Sequence, residues 1–250
     1  MLTVRGIPCR DTNYRPSCCT TAVVMRPGTS DEKVFKHVFI RGEYSFLYGL
    51  KSLPQTVLDG GANCGYASII FALLFPRAKI VAVEASRDNA RALRRNLRAA
   101  NLLDRVAVAN KGLWYRTAQL SLSLKGKQIV DDTAHSAKWS FRVVEATKYD
   151  RNAIAAVTIL ELAASHKVPN FDFVKLDVEG AENDIFRGGV VDWLAETSLL
   201  SVEVHEKIYP NLADKISRQV LPYLGKHYLC SEYHVWSKST LSTCQKGVSA

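Results

Sequence analysis

Val57-Leu58-Asp59-Gly60-Gly61-Ala62-Asn63-Cys64-Gly65-Tyr66 is the stretch that decides how this chain folds. An apolar run ends in an acid, and the acid opens a loop with few large side chains. One strand–helix–strand unit further on, Val81-Ala82-Val83-Glu84 ends a second apolar run in another carboxylate. In open parallel α/β sheets, ligands bind where strands end and helices begin. A carboxylate roughly 20 residues beyond a glycine loop is where a ribose diol is held. The two stretches together predict a nucleoside site in an enzyme, with bare loop backbone lying against the ligand.

Glycine spacing separates the nucleoside classes. A dinucleotide loop follows Gly-x-Gly-x-x-Gly, its second glycine letting the backbone reach a pyrophosphate. Starting at Gly61, that pattern needs glycine where Asn63 and Tyr66 stand; starting at Gly60, it needs glycine where Ala62 stands. A nicotinamide dehydrogenase is disfavoured on this ground. The spacing Asp59-x-Gly61-x-Asn63-x-Gly65 instead resembles the first motif of S-adenosylmethionine-dependent methyltransferases. That cofactor carries an amino acid and a sulfonium in place of phosphates, so its loop needs no strong anion cradle.

The chain has 250 residues, enough for one α/β domain with a sizeable core. No apolar run approaches the ~20 residues needed to span a bilayer. The first residues lack the apolar stretch and cleavage signal of a secretory leader, so a cytoplasmic protein is expected. The net charge of +9 raises a nucleic-acid partner as a question. Much of that charge sits on Arg87, Arg91, Arg94, Arg95 and Arg98, in a predicted helix whose apolar stripe is Ala90, Leu93 and Leu97. Burying the stripe leaves the arginines solvated, so the charge belongs to an exposed helix face. The six cysteines show no Cys-x-x-Cys spacing, and neither zinc nor a disulfide framework follows from them. Cys64, inside the glycine loop, is expected to pack without chemical duty.

Residues 1–33 have weak periodicity and read as an N-terminal extension, with the catalytic domain at 34–250. Apolar spacing over 34–50 suggests short helical pieces laid over the core. Strands are predicted at 57–59, 80–84, 106–110, 171–177 and 199–205. Helices are predicted at 65–75, 87–101 with Ser86 as N-cap, near 159–165, at 180–187, and at 212–220 with Pro222 as a stop. Residues 114–148 read as a small antiparallel insertion, with strands at 119–124 and 140–144 around a polar loop at 125–138, a candidate lid or substrate platform. Two strands at about 228–230 and 233–236 finish the chain. Such alternation implies a mostly parallel sheet with right-handed crossovers.

The second dense cluster is Phe171-Asp172-Phe173-Val174-Lys175-Leu176-Asp177-Val178-Glu179-Gly180-Ala181-Glu182. Strand alternation puts Phe173, Lys175 and Asp177 on one face. A lysine inside an apolar strand requires a partner. Ser201, Glu203 and His205 share a face of the next core strand, so Lys175 is expected to meet Glu203, and Asp177 to approach His205 at the carboxyl edge. Glu179 and Glu182 are also placed to answer a helix dipole.

Taken together, Val57 to Gly65, Val174-Lys175-Leu176-Asp177-Val178-Glu179-Gly180-Ala181-Glu182 and the late Val202-Glu203-Val204-His205 resemble the FkbM family of S-adenosylmethionine-dependent methyltransferases. The match spans roughly residues 34 to 206. It implies an α/β, Rossmann-like methyltransferase fold: a seven-stranded, mostly parallel sheet with helices on both faces. It also implies O-methylation of a hydroxyl, commonly on sugars or natural products. Glu84-Ala85-Ser86 departs from the family in lacking a proline after the acid, while the carboxylate for the ribose is retained.

Candidate roles follow. Asp59, Gly60, Gly61, Asn63 and Gly65 form the loop for the methionine end, Glu84 takes the ribose hydroxyls, and Asn110 lies near the adenine. Asp177 or His205 is the base, with Lys175 and Glu179 shaping the local field. No metal is assigned, since the spacing of Asp177, Glu179 and His205 is not diagnostic. The expected partner is a small-molecule or saccharide acceptor; the sequence is silent on oligomeric state. Two rival readings remain. One is an RNA or other nucleic-acid methyltransferase, weakened by the absence of an Asn-Pro-Pro-Tyr type motif. The other is a non-catalytic Rossmann-like binding module, against which stand the intact loop and both carboxylates.

Overall fold

The computed structural model describes residues 1–13, 15–124, 127–128, 141–146, 150, 153–187, 192–241 and 244–246. The chain opens with a hairpin, β1 (Leu2–Arg10) and β2 (Pro16–Val23), followed by α1 (Asp31–Phe35), a π turn (Lys36–Ile40) and a 3-10 turn (Ser45–Leu47). Next come β3 (Thr56–Gly60), α2 (Tyr66–Leu74), β4 (Lys79–Val83), α3 (Arg87–Ala99) and β5 (Val106–Ala109). An insertion carries β6 (Gly112–Leu113), β7 (Ala118–Leu124), β8 (Lys127–Gln128), β9 (Phe141–Glu145) and β10 (Ile154–Val157). The remainder is α4 (Ile159–Ser165), β11 (Phe173–Leu176), α5 (Glu182–Ile185), β12 (Leu199–Glu203), α6 (Leu212–Leu224), β13 (Lys226–Cys230), β14 (Tyr233–Ser237) and β15 (Gln245–Lys246).

The main sheet runs β15-β13-β14-β12-β11-β3-β4-β5. From β12 to β5 neighbouring strands are parallel; β14 enters antiparallel between β12 and β13. The expected seven strands are present, and the two-residue β15 adds an edge. Strand order reverses between β3 and β11, because the chain leaves β3 toward β4 and returns on the other side of β3. That reversal opens a crevice at the carboxyl ends.

Helices cover both faces, as expected. Alternation along the strands sends Val57, Phe173 and Leu199 to a core with Ile69, Phe71, Leu93 and Leu97 of α2 and α3. Leu58, Val174 and Leu200 face the opposite core, with Ile159, Leu162, Ile216 and Val220 of α4 and α6. On α3, Ala90, Leu93 and Leu97 are buried while Arg87, Arg91, Arg95 and Arg98 stay exposed. Ser86 caps this helix, accepting from the Asn89 amide at 3.3 Å.

Several expectations are corrected. Residues 1–33 are no loose extension: Ile7 and Val23 join the α2/α3 core, and β1 and β2 pack on those helices. Asn96 of α3 ties the hairpin down, accepting from the Val24 amide at 2.5 Å and donating to the Cys64 carbonyl at 2.9 Å. The insertion's sheet is wider than 114–148, because β6 pairs in parallel with β10. The polar loop at 125–138 lies outside the described residues, apart from β8. Pro222 does not stop α6, which runs on to a left-handed cap at Gly225. Pro222 itself is exposed and interrupts only one backbone bond, while Val220 and Leu224 hold the turn in the core.

Two disulfides form where no framework was expected. Cys9–Cys19 cross-links the hairpin, and Cys230–Cys244 ties β13 to the segment before β15. The pairing partners are set by strand register, which cysteine spacing does not encode. Among the described residues, no helix is long and apolar enough to cross a membrane.

Replacing Asn96 with leucine strands the buried Cys64 carbonyl and the part-buried Val24 amide at once. Chemical denaturation should show a loss of about 2–4 kcal/mol, and serine at Cys9 and Cys19 together should cost about 2–3 kcal/mol.

Candidate active site

Every predicted site residue lies at or just beyond the carboxyl end of a parallel strand. The loop after β3 turns through left-handed backbone at Gly61 (φ 73), Asn63 (φ 51) and Gly65 (φ 91). The glycines answer to packing. A Cβ on Gly61 would lie 1.7 Å from the Asp177 carbonyl oxygen, and one on Gly65 would lie 2.4 Å from Leu93. The loop is therefore pressed against the exit of β11 and against α3. Amides of Gly61 and Ala62 anchor it to the Val83 carbonyl at 3.0 and 2.9 Å.

Glu84 follows β4 and is 8% exposed. Its carboxylate accepts the Asn63 amide and the Ser86 amide, each at 2.8 Å. Burial pushes this carboxyl up to about 7, against the pull of those two amides. Asn110, just past β5, donates to the carbonyls of Glu84 and Ala85 at 2.8 and 3.0 Å, fixing the turn that presents the acid.

Under the loop lies a buried ion pair. Lys175 is 1% exposed and Asp59 fully buried, with Nζ 3.3 Å from Oδ1. The same ammonium donates to the carbonyls of Gly60 (3.2 Å) and Gly61 (3.0 Å) and stands 3.5 Å from Asp177 Oδ2. Asp59 also accepts from Ser68 at 2.5 Å. Burial opposes the ammonium's charge, but Tyr44, Asp59, Asp177 and Glu43 outweigh it and hold the pKa above its ordinary value.

The expected Lys175–Glu203 pair is not what forms. Register puts Lys175 opposite Ser201 on one side and Asp59 on the other. Glu203 lies two residues further along, level with Asp177. Burial first, then the neighbouring Asp177, pushes the Glu203 carboxyl up to about 9. The expected approach of Asp177 to His205 does occur: ligating atoms of Asp177, Glu203 and His205 all lie within 4.8 Å of one another.

His205 sits past the end of β12. Its Nε2 is 3.4 Å from Glu179 and its Nδ1 3.3 Å from Glu182. Burial lowers its basicity, but the two adjacent glutamates, Glu179 and Glu182, win and lift its pKa to about 11. Glu182, fully buried, accepts the amides of Val178 and Gly180 at 2.8 and 2.7 Å. It is thereby fixed beneath the imidazole.

These groups border a cleft of ≈ 340 Å³. Gly61, Ala62, Asn63 and Tyr66 form one wall, and Asp177, Glu179, Glu203 and His205 the floor. The opposite wall is His37, Glu43 and Tyr44, with Glu232 from the β13–β14 turn. Of the predicted cofactor residues, Gly61 and Asn63 face this cleft. Asp59, Gly60 and Gly65 support the loop from below, and Glu84 and Asn110 stand at the adjacent strand ends. Tyr233 donates to Asp177 at 3.4 Å, so the 2.9 Å contact between Tyr44 and Tyr233 must have Tyr44 as donor.

Sequence reading missed Glu43, Tyr44, Glu232 and Tyr233, and assigned Glu182 only to a dipole. No periodicity links the segment around Glu43 to the strand ends. Glu203 and its alternation with His205 were visible, but not its contact with Asp177.

The profile of the methyltransferase FkbM domain matches residues 59–228, most of the chain. The protein belongs to the FkbM methyltransferase family and is an S-adenosylmethionine-dependent methyltransferase. Among solved structures it is similar to the methyltransferase FkbM from Methylobacillus flagellatus, at 15% identity and TM-score 0.49, over 78% of this chain and 47% of that one. The chain thus spans about half the length of that relative. It is also similar to the O-methyltransferase from Bacillus cereus in complex with SAH, at 17% identity and TM-score 0.43, covering 79% of this chain and 80% of that one. A third is the O-methyltransferase TomG from Streptomyces achromogenes, in complex with SAM, at 13% identity and TM-score 0.45, covering 86% and 91%. No curated protein matches the chain.

Two measurements probe this geometry. Gly61→Ala should lower stability by about 2–4 kcal/mol, because a backbone oxygen blocks the new methyl. Glu84 is an acid whose folded pKa, about 7, exceeds its ordinary value of 4.5. Between those values the folded state holds more protons, so stability should fall as pH rises from 4.5 to 7. The loss should be up to about 3 kcal/mol, and Glu84→Gln should flatten that part of the stability–pH curve.

Proposed function

We propose that this methyltransferase transfers its methyl group to a hydroxyl of a small-molecule or saccharide acceptor seated in the cleft between the glycine loop and Glu43. The observation that carries this reading is the convergence of Asp177 and Glu203, at the ends of two parallel strands, beside Gly61 and Asn63. Hydroxyl-rich acceptors suit a cleft walled by carboxylates and tyrosines, which accept and donate hydrogen bonds in pairs.

The residues present fit the cofactor. Asn63 Oδ1 is buried and has no hydrogen-bond partner among the described residues, so it is free to accept from an ammonium. Glu84 accepts one backbone amide on each oxygen and a side-chain hydrogen bond from Asn89, and a carboxylate's four acceptor sites leave one for a ribose hydroxyl. Gly61 and Asn63 would hold the methionine end, Asp59 and Gly65 would keep the loop in shape, and Asn110 would border the adenine. S-adenosylmethionine supplies a methyl group already activated on a sulfonium.

The work left to the protein is alignment and proton removal. Glu203, pushed up to about 9, keeps its proton at neutral pH. His205, lifted to about 11, already carries one and is poorly suited to accept another. Of the two groups left in the cleft floor, Glu179 is engaged by His205, which leaves Asp177, steadied by Lys175 and Tyr233. It would accept the proton of the acceptor hydroxyl, whose oxygen would take the methyl that the sulfonium supplies. Glu179 and Glu182 keep His205 charged, and that charge offsets the carboxylates around it.

Incubation with labelled methyl donor and a panel of sugars, oligosaccharides, small alcohols, RNA and protein, read by mass spectrometry, tests the acceptor class. Label on a hydroxyl of a saccharide or small molecule is the expected result; label only on RNA would overturn the reading. Asp177→Asn should lower turnover by about 10²–10⁴ while calorimetry shows SAH still bound.

A further inference from the structure

We propose that Asp177, Glu203 and His205 form a binding site for one divalent transition-metal cation on the floor of the cleft. Their ligating atoms lie within 4.8 Å of one another, gathered from the ends of β11 and β12 and the turn that follows. The sequence assigned no metal, because 177, 203 and 205 are brought together only by the parallel pairing of the two strands. Ligation would release the protons that His205 and Glu203 otherwise hold, and two carboxylates with one neutral imidazole form a donor set suited to manganese or zinc, whereas an all-oxygen set would favour calcium or magnesium.

A second, separate observation concerns the imidazole. Metal-ligating histidines hold their other ring nitrogen against a carboxylate that fixes ring orientation. Here Nδ1 faces the fully buried Glu182 at 3.3 Å, and Glu182 is itself pinned by two backbone amides. The other nitrogen, Nε2, stands 3.4 Å from Glu179, which also lines the cleft. Glu182 is a positioning residue in this arrangement.

Five carboxylates, Glu43, Asp177, Glu179, Glu203 and Glu232, line the cleft with three lysines, Lys33, Lys175 and Lys207, and the Lys175 ammonium is divided among Asp59, Asp177 and two loop carbonyls. His37, Glu43 and Glu232 make a second group of suitable atoms on the opposite wall. There, however, the Arg41 guanidinium lies 3.2 Å from His37 Nε2 and occupies that ring nitrogen. The floor is the better site. Its use in holding an acceptor oxygen rests on the reading under Proposed function, whereas cation binding itself does not.

The test uses the full chain stripped of metal with a chelator and titrated separately with manganese(II) and zinc(II). Free manganese is followed by electron paramagnetic resonance, zinc by calorimetry, and SAH binding is measured in parallel. One ion per chain is expected, weakened more than about tenfold by Glu203→Gln and by His205→Ala, and unchanged by Glu145→Gln, an exposed acid on the insertion. A variant that fails a thermal-melt control is replaced by Asp177→Asn under the same criterion. A chain that binds SAH but takes up neither ion overturns the proposal, as does uptake indifferent to the floor substitutions. Uptake by a chain that does not bind SAH would support the cation site and count against the methyltransferase reading.

Discussion

A single ammonium, Lys175 Nζ, sits where the molecule can least afford a loose charge, and the site is organised around it. It is buried beneath the glycine loop, pairs with Asp59 of β3, reaches Asp177 past β11, and donates to two loop carbonyls. Removing one partner of such a pair leaves the other charge buried, at a cost of about 3–5 kcal/mol. A slipped register between β3 and β11 would do the same damage, because Lys175 stands directly opposite Asp59. The ion pair therefore does more to select one alignment of strands than to add net stability. Once that alignment is set, Gly61 must lie against the Asp177 carbonyl and Glu203 must come level with Asp177.

The rest of the chain closes and braces this crevice. The hairpin joins the core on the α2/α3 side, and Asn96 links it to the glycine loop through Val24 and Cys64. The turns that follow bring Glu43 and Tyr44 over the strand ends, where Tyr44 meets Tyr233 and Tyr233 meets Asp177. Charge is divided by the same architecture. Arg87, Arg91, Arg95 and Arg98 of α3 face solvent, while five carboxylates and three lysines line the cleft.

Much of the fold was legible because buried parallel strands and amphipathic helices write their periods into the sequence. The strand at Thr56–Gly60, the stripe and Ser86 cap of α3, and α4 fall where apolar spacing and the capping serine put them. The hairpin was not legible, since only its few inward residues join the core and the rest of its faces are polar or exposed. Pro222 misled because helix propensity is local and the packing of Val220 and Leu224 is not.

The site divides along the same line. Sequence alone determined which residue types stand at each strand end: the acid and glycines after β3, Glu84 after β4, Asn110 after β5, Asp177 and Glu179 after β11, and His205 after β12. These follow from chain order, because a strand's last residue is fixed by where its apolar run stops. Tertiary structure decided who meets whom. Lys175 pairs with Asp59 instead of Glu203, Glu203 meets Asp177, and Glu182 turns the imidazole of His205. Those contacts depend on the register between strands distant in sequence and on the depth at which each charge is buried, and neither quantity is carried by any local pattern of residues.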